Sequence, residues 1–355
     1  MMFEVKADDI NSILRDYHID AVCSSFSELQ RYHYEEDDPA SRQVRLIVKA
    51  ELEDGRSLVL RFKHEEDAPK DVIEAQSRFA ALLYEHGIET PKAYVSDGLF
   101  ARMYSIGGYD VVVTVEDFKP GEIRTVDPQT AKDTGELLAR MHNIAEANDF
   151  HVNCEVLFDP LAPNDLFFYE AFVKRKERLL GIDSGLYNSI VKKHDELISR
   201  IAPLGKETRF AVQGDISDCN LYRTADGRIG VFDFNRCGDN SLFFDAVMQA
   251  VFESRLMDYP EEMDGHQEKI VFSSFLEGYQ QARPFTAEQK EAFPYLYALI
   301  TAFWGVDMKW ADSSHTKTVD EADDATVHQW MDGIFKREIT MHTVPGYQLI
   351  SVFAG

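Results

Sequence analysis

The chain has 355 residues, 45% hydrophobic and 12% aromatic, which is enough for a sizeable core and, at roughly 150 residues per domain, suggests two domains or a two-lobed one. Its 37 basic and 62 acidic residues leave a net charge of −25, which argues against a nucleic-acid partner, because duplex binders cluster Lys and Arg against phosphate. No apolar run reaches the ~18 residues that span a bilayer, and the start MMFEVKADDI lacks the basic and apolar parts of a secretory leader. With four scattered cysteines (Cys23, Cys154, Cys219, Cys237) reading as free thiols, the expectation is a cytoplasmic protein with no membrane partner.

In chain order, the first pattern is a β-hairpin. Val44 to Leu52 and Ser57 to Lys63 flank an Asp54-Gly55 turn. A helix follows, with Val72, Phe79, Leu82 and Leu83 at helical spacing, opened by Asp71 and closed by Gly87 before Pro91. Val111 to Val115 reads as a further strand, and Glu116 to Glu122 (EDFKPGE) as a connector. Beyond it helical periodicity dominates. Asp127-Pro128 has the form of an N-cap and first helical residue, ahead of Leu137, Leu138 and Met141. Further helical patterns cover about 166–180, 186–201, 241–256, 267–282, 287–311 and 325–338. Between them, 209–234 reads as two short apolar runs around a polar loop and an Asp226-Gly227 turn.

That interruption carries the chemistry. In VQGDISDCNLYRTADGRIGVFDF, Asp215 follows a strand, Asn220 precedes the first strand of a hairpin, and Asp233 lies at the end of the second. A hairpin brings Asn220 and Asp233 side by side. An amide oxygen and a carboxylate are hard ligands suited to Mg2+ that bridges substrate phosphates. Asp215, off the metal, is placed to accept a proton from an attacking hydroxyl. These are the parts that phosphoryl transfer requires.

The run QGD-x4-N followed by FDF resembles the catalytic and metal-binding motifs of the aminoglycoside phosphotransferase and choline kinase family, relatives of the protein kinases. Cys237-Gly238-Asp239 with Phe244-Asp245 is similar to the family's continuation into a helix, and GELLARMH (Gly135 to His142) falls in the family's order. The resemblance implies a protein-kinase-like two-lobed α+β fold, with a small β-rich nucleotide-binding lobe over 1–115 and a larger helical lobe for catalysis and substrate over 116–355. It implies Mg2+ as cofactor, ATP or GTP as co-substrate, and a hydroxyl of a small amine, aminoglycoside-like molecule or other metabolite as acceptor. On the third strand it implies a phosphate-binding cation. Strand alternation puts Val59, Arg61 and Lys63 on one face; register favours Arg61, with Lys63 the alternative. Glu74 on the next helix is the expected ion-pair partner, although Asp71-x-x-Glu74 is also a capping-box pattern. Glu116 to Phe118 are expected to meet the nucleotide base through backbone groups, beneath a covering loop between about 26 and 45 that has no glycine. The family's His before Gly-Asp is Gln213 in this sequence. Gln supplies a hydrogen bond but no ring, which motivates an alternative reading as a non-catalytic nucleotide- or ligand-binding protein.

Asp245, near a helix start, reads as a structural group holding the catalytic loop or capping the helix, and His142 as a packed helix residue. Trp304, Asp307, Trp310 and Asp312 fall at helical spacing, suited either to an amine or to an ordinary amphipathic helix. Acidic clusters at Asp258 to Asp264 and Asp320 to Asp324 suit a cationic substrate or a solvated face.

Overall fold

The computed structural model of the protein describes residues 3–34, 43–65, 69–156, 159–162, 169–216, 220–260, 267–303 and 319–340. The described chain forms two compact units. The first comprises residues 1–123, 144–154 and 219–238, and the second 124–143, 155–218 and 239–355.

The first unit is built on a five-stranded antiparallel sheet: β1 (Cys23–Tyr34), β2 (Gln43–Leu52), β3 (Ser57–His64), β4 (Arg102–Ile106) and β5 (Tyr109–Asp117), in the order β1-β2-β3-β5-β4. Period-two alternation sets its faces. Leu58, Leu60 and Phe62 of β3 join Leu46, Val48 and Ala50 of β2 and Val111, Val113 and Val115 of β5 in one buried cluster. α1 (Ala7–Asp16) adds Ile10, Ile13 and Leu14 to that cluster and starts where Asp9 accepts the Lys6 N–H at 2.8 Å. The sequence reading assigned neither α1 nor β1. β1 alternates weakly, and two register irregularities, Cys23/Ser25 and Glu28/Gln30, break its pattern. α2 (Lys70–Glu85) buries Ile73, Gln76, Phe79, Ala80 and Leu83.

Two further segments complete this unit. β7 (Leu221–Arg223) and β8 (Ile229–Val231) form the expected hairpin around Asp226-Gly227. The connector reaches it at Gly121, whose carbonyl accepts the Arg223 N–H at 2.8 Å. Gly121 has φ +92°, and a Cβ there would lie 2.6 Å from the Arg223 carbonyl oxygen, so only glycine fits.

The second unit is helical: α3 (Pro128–Ala147), α4 (Tyr169–Lys174), α5 (Lys176–Ile201), α6 (Leu242–Leu256), α7 (Gln267–Ala282), α8 (Ala287–Ala302) and α9 (Asp324–Ile339). It also holds two short strands, β6 (Phe210–Val212) paired with β9 (Gly238–Asn240). Asp127 caps α3 as read, accepting the Thr130 N–H at 2.6 Å. α5 is broken at Asp183 (φ −154°, ψ 99°), whose Oδ1 accepts the Leu186 N–H at 2.9 Å, so the segments read as 166–180 and 186–201 meet at an internal cap. Every residue of α6 from Leu242 to Ser254 is buried, as befits a helix enclosed on all sides. α3 and α7 approach so closely that a Cβ on Gly278 would fall 1.9 Å from the Lys132 carbonyl oxygen. Residues 304–311 of the pattern read over 287–311, with Trp304, Asp307 and Trp310, lie outside the described residues, as do Asp312, 166–168 and 261–264.

Candidate active site

In the first unit the hairpin positions the proposed metal ligands. The Phe232 N–H donates to the Asn220 carbonyl at 3.0 Å, so the residue after β8 and the residue before β7 are ladder neighbours. This places Asn220 and Asp233 at one end of the hairpin, as the spacing predicted. Asp233 has φ +57°, a left-handed conformation that Asp tolerates better than most residues and that persists where the surroundings over-determine it.

Those surroundings are cationic. Arg61 of β3 donates from Nη1 to Asp233 Oδ2 at 3.0 Å and from Nη2 and Nε to Glu116 Oε1 at 2.9 and 3.1 Å. Asp233 Oδ1 also accepts the Asn235 N–H at 3.1 Å. Burial alone would raise the Asp233 carboxyl, but the Arg61 and Lys63 charges hold it below the usual carboxylate range. Burial likewise opposes the charge on Arg61, yet Asp233 and Glu116 together drive its pKa upward. Lys63 is 4% exposed and pairs its ammonium with the Asn235 side-chain oxygen. Burial pushes it down to about 8, against the pull of Asp233. Both cations line one cleft with Gln76, Glu116 and Asn235, and Ile73 and Phe234 add apolar surface to its lining.

Glu74 does not pair with either cation. Its carboxylate accepts the N–H groups of Phe100 and Ala101, both at 2.8 Å, and meets Arg78 at 2.7 Å one helical turn on. The expected Arg61–Glu74 pair is therefore corrected to Arg61–Glu116–Asp233. Nor is there a capping box, because Pro69 is the N-cap of α2. The Phe118 N–H donates to the Ser57 carbonyl at 3.0 Å and the Asp117 N–H to the Lys92 carbonyl at 3.0 Å, so these donors already close the strand end. The Phe118 ring lies under Lys49 Nζ at 4.2 Å. Of the segment read as a covering loop, 26–34 is strand β1 and 43–45 begins β2, while 35–42 lie outside the described residues.

In the second unit, Asp215 leaves the end of β6 half-buried, beside the wholly buried Gln213. Gln213 Oε1 accepts the Asp215 N–H at 2.7 Å. The carboxamide thus supplies a backbone hydrogen bond without a ring. His142 and Asp245 are both buried, with His142 Nε2 3.0 Å from Asp245 Oδ2 and Nδ1 2.9 Å from the Tyr279 hydroxyl. A carboxylate only accepts, so Nε2 carries the proton on that side.

Sequence reasoning missed Asn235, Gln76 and the role of Glu116. Gln76 had a signal: it stands on the apolar stripe of α2 between Ile73 and Phe79, and its Nε2 donates to the carbonyls of Asn235 (3.2 Å) and Cys237 (3.0 Å). Among the described residues no three His, Cys, Asp or Glu side chains are grouped to hold a metal ion. The hard-oxygen pair of Asn220 and Asp233 fits Mg2+ or Ca2+, ions that share their coordination with phosphate oxygens and water. Among the described residues no helix is long and apolar enough to cross a membrane.

The chain is thus of the α+β class, with an antiparallel sheet that carries a half-buried Arg–carboxylate cluster and a helical unit that carries a Gln-Gly-Asp turn. The sequence matches the profile of the phosphotransferase enzyme family over residues 40–285, more than half its length, and the chain belongs to that family. Its structure is similar to that of an amicoumacin kinase in complex with AMP-PNP, Ca2+ and Ami, at 18% identity, covering 93% of this chain and 94% of that one with a TM-score of 0.54. It is also similar to a microcompartment-associated aminopropanol kinase (15% identity, 86% and 90% covered, TM-score 0.54). A third likeness is to an aminoglycoside phosphotransferase from Alicyclobacillus acidocaldarius (12% identity, 86% and 91% covered, TM-score 0.50). At these identities the likeness is one of fold.

Proposed function

We propose that the protein transfers the γ-phosphoryl group of ATP or GTP to a hydroxyl of a small, amine-bearing molecule. The observation that carries this reading is the half-buried Arg61–Asp233 pair on the cleft of the first unit. It combines a phosphate-binding cation with a strained carboxylate kept ionised. The family match supports the reaction class, and the AMP-PNP and Ca2+ of the amicoumacin kinase structure support a nucleotide and a divalent ion. Asn220 and Asp233 would hold Mg2+, which when bound neutralises charge on the phosphates. Arg61 meets phosphate oxygens as a planar two-donor fork, with Lys63 as a second cation beside it. Asp215 orients the acceptor hydroxyl and takes its proton as the new O–P bond forms. The net charge of −25 favours a cationic acceptor over a polyanion and disfavours nucleic acid. We assign nucleotide binding to 1–115, catalysis and acceptor binding to 116–355, and the whole to the cytoplasm.

The test is a panel of amino alcohols and aminoglycosides with Mg-ATP and Mg-GTP, scored by phosphorylated product. The Asp215→Ala variant is expected to lose transfer while binding nucleotide within about twofold of wild type, and Asp233→Ala to weaken Mg-nucleotide binding. Absence of Mg-dependent nucleotide binding by calorimetry sinks the reading. Binding without transfer across the panel favours the non-catalytic alternative.

A further inference from the structure

Gln249 lies in the middle of α6, wholly buried, one turn after Asp245. A buried carboxamide must place an acceptor and its donors, and both ends here have partners. Gln249 Nε2 donates to Asp245 Oδ1 at 3.2 Å, and its Oε1 accepts the N–H of Ile216 at 3.0 Å. Ile216 is itself wholly buried and follows Asp215 directly. With His142 donating to the other oxygen of Asp245, and Tyr279 beyond it, one line of polar contacts runs from α7 through α3 and α6 to the backbone beside Asp215.

The line has a polarity. Asp245, as an acceptor on both oxygens, admits only the NH2 end of the Gln249 amide. The amide oxygen is thereby turned towards Ile216, whose N–H has no water to fall back on. Gln213 holds the N–H of Asp215 itself, so two carboxamides grip successive peptide groups. We propose that Gln249 is a positioning residue, oriented by Asp245 and His142, that fixes the backbone after Asp215 and so the direction in which the Asp215 carboxylate projects. This rests on Asp215 being the group that orients the acceptor, a task in which a displacement of about 1 Å costs on the order of a hundredfold in rate.

Two variants and two readouts test it. Gln249→Met keeps the volume and removes both hydrogen bonds; kcat for phosphoryl transfer is expected to fall at least about tenfold, with the KM for nucleotide within about twofold. Gln249→Glu brings a second carboxyl against Asp245. Its kcat is expected to be low at high pH and to recover as pH falls, when the introduced carboxyl is protonated and can again donate to Asp245 while accepting from Ile216. Wild type and Gln249→Met lack that recovery. Amide hydrogen exchange reads the same contact without activity: the Ile216 N–H is expected to lose at least about tenfold protection in Gln249→Met. Wild-type kcat and protection in Gln249→Met overturn the proposal. If that variant does not fold, a Gln249→Glu pH profile superimposable on wild type overturns it. If wild type itself transfers no phosphate, the assignment of Asp215 fails, and unchanged Ile216 protection in the variants separately refutes the positioning role.

Discussion

Lys63 and Arg61 stand two residues apart on one strand face, yet their surroundings treat them differently. Arg61 is flanked by two carboxylates and stays charged at any accessible pH, whereas Lys63, buried beside a neutral amide, titrates at about 8. If Lys63 assists in holding phosphates, Mg-nucleotide affinity falls between pH 7 and 9 as its proton leaves, and Lys63→Met binds weakly with no change across that window. Calorimetry at pH 7, 8 and 9 checks this. Replacing Arg61 by Met leaves Glu116 and Asp233 without their shared guanidinium; a loss of roughly 3 kcal/mol is expected. Asp233→Asn added to Arg61→Met is expected to restore part of it, and additive effects in urea unfolding would refute the coupling. The placement of Asn220 and Asp233 at one end of a hairpin was legible because it is tied to a local turn. The partner of Arg61 was not, because Asp233 lies 172 residues away and Glu74 offered a nearer carboxylate. Glu74 is instead occupied by the Phe100 and Ala101 N–H groups, a loop contact with no periodic signature.

Among the elements, those with strong periodicity and clear stops were read nearly to their ends: the β2–β3 hairpin, α2, α6 and α7. α1 escaped because ten residues with three buried apolar side chains make a faint pattern, visible only once a sheet is present to receive it. Close approach between elements is equally silent in sequence. Gly278 falls within the helix read over 267–282, but nothing there announces that α3 packs against its bare Cα. Gly278→Ala is therefore expected to cost about 3 kcal/mol, far from the small gain that Ala in place of Gly gives an exposed helix. Gly121→Ala is expected to destabilise by about 2 kcal/mol through its positive φ and the Arg223 carbonyl. Thermal unfolding of each, against wild type, measures both.

At the scale of the whole molecule most of the acidic residues described are solvated, but some, Glu253 and Glu338 among them, are buried. Burial pushes Glu253 of α6 up to about 8, against a smaller pull from the Thr134 hydroxyl, and pushes Glu338 of α9 up to about 9. The native state keeps a proton on Glu253 that the unfolded chain gives up above about 4.5. Its contribution to stability is therefore full below that pH and is lost as pH rises to about 8, by up to about 1.4 kcal/mol per pH unit. Glu253→Gln is expected to remove that slope, so that urea unfolding at pH 5.5 and 8 shows the variant gaining on wild type at the higher pH. An unchanged difference between the two proteins would contradict it. His194 acts in the opposite sense: burial lowers it to about 4, so its share of stability appears as pH rises towards 6.5. The irregular outer strand bears on solution behaviour. β1 is twelve residues long, lies at the edge of the described sheet and exposes Phe26 and Leu29, the kind of edge on which another chain's strand can pair. Its two register breaks interrupt the regular row of peptide groups along that edge. Deleting the extra residue at either break would straighten that edge, and self-association at high protein concentration would be the consequence.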